Sequence, residues 1–169
     1  MINIEEKFKL DFVKKNVLKN FSVYWKKNSE SISNLPIKRK VLKKININLQ
    51  ICKIQVPEWA QFIAVDNKLI VPSELCPNGD NTNWTDIDWF LCIFILSQNI
   101  HEINYELINK PIHSYSYKLR KWDKIVWDYA WTNRISIFLR EWAAQLESQN
   151  PTILFGNIPK PRFYITHDV

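Results

Sequence analysis

The chain has 169 residues, 46% of them apolar and eight of them Trp, which suits one packed domain and excludes a disordered chain. Only two glycines occur, Gly79 and Gly156, so the Gly-rich phosphate loops of Rossmann and P-loop nucleotide binders are excluded. The net charge of +6 is uneven: residues 1–50 carry twelve Lys/Arg against four Asp/Glu, and the remainder eleven against thirteen.

Residues 2–27 are predicted as an amphipathic helix. Phe8, Phe12, Leu18, Phe21 and Trp25 recur at three- and four-residue steps with Lys between them. The basic residues of this third read first as a solvated face; contact with an anionic polymer or membrane surface is the sharper alternative. Regularly interleaved stacking aromatics are lacking there, so nucleic acid is not expected as a partner. Asn28 to Pro36 is polar and reads as a connection. Residues 1–44 thus form a basic, largely helical segment before an α+β domain over 45–150.

That domain opens on Ile45, Ile47, Leu49 and Ile51 alternating with Asn46, Asn48 and Gln50, a period-two pattern that predicts a strand. Phe62–Val65 and Leu69–Val71 flank Asp66-Asn67-Lys68 and read as a hairpin ended by Pro72. A small, mostly antiparallel sheet follows. Residues 76–83 form a loop, after which Thr85 reads as a helix N-cap with Asp88 as its capping-box partner. The following helix, Ile87 to about Ser97, is apolar nearly all round and should be buried; its run from Trp89 to Leu96 is far too short to span a bilayer.

Cys52, Cys76 and Cys92 form no CxxC pair and no disulfide framework, and Cys92 reads as a small core residue. With no apolar stretch after Met1 of the signal-peptide kind, a cytoplasmic location is expected. His101-Glu102 suggests metal chemistry, but position 105 is Tyr, so HExxH is absent and no metal ligands are assigned in the chain. Pro111-Ile112-His113-Ser114-Tyr115-Ser116-Tyr117 is the most unusual polar-aromatic stretch, able to line a pocket or to satisfy buried backbone. A long helix over about 122–146 carries Trp127, Trp131, Ile135, Phe138, Leu139, Trp142 and Leu146 as a stripe, with Asp123 as a cap. Such a stripe is a core face, unless exposed, coplanar Trp rings offer a carbohydrate platform. Arg134 lies beside it and calls for a carboxylate, with Glu102, Glu106 and Asp88 as candidates. A proline-containing linker over 151–161 leads to a final strand, Arg162-Phe163-Tyr164-Ile165-Thr166-His167-Asp168-Val169.

Three stretches, Trp84–Phe90, Pro111–Ser116 and Trp131–Trp142, together with the closing Thr166-His167-Asp168-Val169, resemble the polysaccharide deacetylase-like proteins of bacteria. The first three resemble the domain preceding the catalytic barrel, and the last resembles that barrel's first motif. The resemblance implies metal-dependent N-deacetylation of a glycan. It gives Asp168 as the general base on a metal-bound water, and places the metal's own Asp and His ligands beyond Val169. The divalent metal, zinc by the family pattern, would belong to the complete enzyme. This chain is then expected to be a non-catalytic accessory domain with one orphan strand of the barrel (162–169), partnered by that barrel. The alternative is a glycan-binding or peripheral interaction module without enzymatic role, with His113, Ser114, Tyr115 and Arg134 as its candidate binding residues.

Overall fold

The computed structural model describes residues 10–26, 28–42, 45–109 and 121–160. The fold is α+β, with a small antiparallel sheet, a buried central helix and a long C-terminal helix.

Helix α1 spans Leu10–Asn20 and turns Val13 and Val17 fully inward. A 3-10 turn, Ser22–Tyr24, follows; Trp25 is then buried, its indole N–H donating to the Leu18 carbonyl at 3.0 Å. The region read as a plain connection contains a short helix, α2 (Ser29–Ser33), because the Asn28 side chain accepts from the Ser31 N–H and Ile32 enters the core.

The sheet consists of β1 (Ile51–Gln55) and β2 (Lys68–Pro72), antiparallel, with Cys52 opposite Val71 and Ile54 opposite Leu69. This corrects the alternating run before Ile51. Ile45 and Leu49 are indeed buried, but the segment makes no ladder, since the five residues of β2 pair only from Ile51 onward. The turn at Asp66-Asn67 forms as expected, both residues at positive φ (49° and 61°), and Val65 bridges Lys68. Its expected first arm does not form: Glu58–Ile63 is a 3-10 helix entered through Pro57, with Phe62 at 68% exposure.

Helix α3 (Trp89–Ser97) is the centre of the molecule, with Trp89 through Ile95 buried on every side. Its N-cap is Asp88 and not Thr85. Asp88 Oδ1 accepts from the Leu91 N–H at 3.0 Å, while the Asn83 side chain caps the separate turn Trp84–Asp86. Helix α1 packs on one side of α3, and the sheet and the long helix on others. Asn99, left-handed at φ 49°, breaks the direction between α3 and helix α4 (Ile100–Ile108).

The C-terminal helical region is two elements, α5 (Ile125–Asp128) and α6 (Trp131–Leu146). The N-cap position of α5 is Lys124, and Asp123, read as the cap, stands one residue before it and accepts from the Ile125 N–H at 3.0 Å. The stripe is core from Trp131 to Trp142, but Trp127 and Leu146 at its ends are exposed. Pro151–Phe155, read as linker, forms helix α7, with Asn150 capping the Thr152 N–H and Leu154 and Phe155 buried against α6. The hydrophobic core runs without interruption from Val13 to Phe155. Among the described residues, no helix is long and apolar enough to cross a membrane.

Candidate functional site

The break at Asn99 brings the first turn of α4 back toward the sheet. His101 is thereby buried, 2% exposed, and its Nε2 lies 3.0 Å from Glu74 Oε1 on the 3-10 turn that follows β2. The same oxygen accepts the Asn46 N–H at 3.0 Å, whereas Oε2 is buried with no partner. Burial pushes the Glu74 pKa up, but the hydrogen bond and charge of His101, helped by backbone N–H donors, prevail and hold it below its ordinary value.

His101 forms part of the floor of a cleft of about 170 Å³ between α4 and the α5–α6 junction. Trp127, Tyr129 and Trp131 supply aromatic walls, and Asn99, Glu102 and Thr132 supply polar groups. The Trp127 ring is stacked on Trp122, with interplanar angle 9° and centroids 6.0 Å apart, and Trp127 remains 43% exposed. Tyr129 meets Trp131 edge-on at 5.3 Å. An aromatic face beside hydrogen-bonding groups suits a ligand with one apolar face and a polar rim.

Arg134 stands behind this wall. Its guanidinium donates to the Ile63 carbonyl and lies 5.4 Å over the Tyr129 ring. Among the described residues no carboxylate pairs with it. Asp88, one candidate, instead accepts from Arg39 Nε at 3.0 Å and from the Lys40 N–H at 2.8 Å. Arg134 positions Tyr129 through its ring; it does not answer an acid. His113, Ser114, Tyr115 and Asp168 lie outside the described residues.

Among the described residues the buried arginine is Arg140, 1% exposed, which sequence reading missed. Its guanidinium donates to three backbone carbonyls: Tyr24 at 3.1 Å, Pro151 at 2.9 Å and Gly156. It therefore ties α6 to the turn after α1 and to α7. Its place in an aromatic-striped helix gave one local signal, a charge at a core-facing position of the period. The Glu74–His101 pair had none, because its members are 27 residues apart.

Cys52, Cys76 and Cys92 are free and buried, and burial raises the pKa of each thiol, which leaves them poor nucleophiles. Among the described residues no group of three or more His, Cys, Asp and Glu side chains could hold a metal ion. No family model matches the sequence, and neither the curated proteins nor the solved structures yield a match.

Proposed function

We propose that this chain is a non-catalytic glycan-binding domain that takes one sugar ring in the cleft over His101, in the service of a polysaccharide deacetylase-type barrel. The observation that carries the binding is the Trp122–Trp127 stack with its exposed outer ring at the cleft. Pyranose rings present C–H groups on one face, which pack on such a ring, and hydroxyls at the edge. Asn99, Glu102 and Thr132 are suited to receive those hydroxyls. The link to N-deacetylation rests on the resemblance of Trp84–Phe90, Trp131–Trp142 and Thr166-His167-Asp168-Val169 to that family. Three unpaired, buried cysteines support a reducing, cytoplasmic compartment.

The test is titration with N-acetylglucosamine oligomers and their deacetylated forms, followed by Trp fluorescence. Binding should quench or shift the emission saturably, and Trp127→Ala should weaken it about tenfold or more while the fold stays intact, since the ring is surface-exposed. No saturable response to any oligomer, or full affinity in Trp127→Ala, refutes the reading.

A further inference from the structure

Apart from that cleft lies a groove at which four lysines of the N-terminal third are gathered. Helix α1 must bury Val13 and Val17 against α3, so its lysines are turned outward. There Lys14, Lys15 and Lys19 meet Lys26 around a groove of about 630 Å³ between α1 and α2. Ser22, Ser29 and Ser33 also line it, and among the described residues Asp11 is its one acidic lining residue.

Elsewhere on the described surface several cations do have partners. Lys38 pairs with Asp86, Arg39 with Asp88, Lys53 with Asp123 and Lys124 with Asp128, while Lys40 donates to the Leu75 carbonyl. None of the four groove lysines forms an ion pair with a described residue, even though Asp11 lies three and four residues from Lys14 and Lys15. Ammonium groups collected without counter-charge repel one another, and an anion removes that repulsion.

We infer that this groove binds the phosphate groups of an anionic, phosphate-bearing polysaccharide. The lining separates this occupant from other polyanions. Trp25, the aromatic residue among the described lining, is fully buried and its N–H is used by Leu18, so among the described residues no groove ring is available to stack on a nucleic-acid base. A membrane would need a continuous apolar face on α1, but Val13 and Val17 are packed inside and the half-exposed Phe12 stands alone, edge-on to Phe94. Ammonium and hydroxyl groups remain, the donors that a phosphate on a hydroxylated chain takes up. The groove and the cleft over His101 share no lining residue, so either reading can fail alone.

The experiment uses the full chain and a fluorescently labelled phosphomannan, read by anisotropy. Binding should appear with the phosphomannan, weaken with salt, and vanish with its phosphatase-treated form. The triple variant Lys15→Glu, Lys19→Glu, Lys26→Glu should bind about tenfold or more weakly. A control with the same charge change, Lys68→Glu, Lys121→Glu, Lys160→Glu, should stay within about twofold of the parent. Equal loss in both triple variants, binding of the dephosphorylated mannan, or tighter binding to oligo-dT or to anionic vesicles would overturn the inference, as would no binding at all.

Discussion

Replacing Arg140 by Met isolates what the buried guanidinium does. Methionine keeps much of the aliphatic stem that packs beside Phe155, over which the guanidinium carbon lies at 5.4 Å, and deletes every donor. Three backbone carbonyls, of Tyr24, Pro151 and Gly156, then lose their partner, the first in a buried and the other two in a part-buried setting. Each such loss costs about 1–2 kcal/mol, giving about 3–6 kcal/mol in all. Removing a charge held in an apolar setting returns part of this. Burial already drives the Arg140 pKa below its ordinary value, with Glu141 pulling the other way, and Arg140 Nε has no partner. A net loss of about 3 kcal/mol is therefore expected. With a urea slope of about 2 kcal/mol per molar for a domain of this size, the unfolding midpoint should fall by about 1.5 M. Hydrogen exchange supplies the local readout. The Gly156 amide, bonded to the Thr152 carbonyl at 2.8 Å, should lose protection before the amides of α3 do, because α7 is what Arg140 ties down. A midpoint shift under about 0.5 M, or equal loss of protection across the domain, would refute the clip.

The other expectations follow from the same kind of accounting. Asp88→Ala removes the N-cap of α3 and the acceptor for Arg39 and Lys40 together, so it should cost about 3 kcal/mol in urea unfolding, while Asp88→Asn, which can still cap Leu91, should cost about half as much. A loss equal in the two variants would show that charge alone matters. Glu74 has a depressed carboxyl in the folded state, so the unfolded chain takes up its proton first as pH falls. Its contribution is present above the ordinary carboxylate range and is lost as pH drops through the lower folded value. Between about pH 5 and pH 3 the parent should therefore lose stability more steeply than Glu74→Gln, and parallel pH profiles would refute the coupling to His101.

What the sequence revealed depended on how local the determinant was. Helix α3 was legible because residues 89–96 are apolar in every direction, which only a fully buried element tolerates. The face of α6 was legible from its period, and the Asp66-Asn67 turn from residues that accept positive φ. Strand positions were less so. Period-two alternation over 45–51 records which side chains face the core, and Ile45 and Leu49 do, but a strand also needs a partner at the right register. Thr85, read as the cap with Asp88 as its partner, gives way to Asp88 itself, whose carboxylate is also held by Arg39 from 49 residues away, a contact that local sequence does not show. Arg134 was singled out for the right neighbourhood and the wrong partner, since a carbonyl and a tyrosine ring satisfy it.

The cleft has a cause in the chain that its lining alone does not reveal. A helix as apolar as α3 cannot continue once its next turn must face water, and Gln98 and Asn99 mark that point. Asn tolerates the left-handed conformation there, so α4 departs at an angle instead of extending α3. The reversal buries His101 against Glu74 and leaves the outer side of α4's first turn apart from the α5–α6 junction. Tyr129 and Ala130, extended or irregular between α5 and α6, keep those two helices from merging, so Trp127 stays at the surface while Trp131 starts the core. A continuous helix through 122–146 would have placed both rings on one buried stripe and closed the site. The interruption at Tyr129, propped by Arg134, is thus what turns an aromatic core face into an aromatic surface, and it is there that the proposed sugar contact stands or falls.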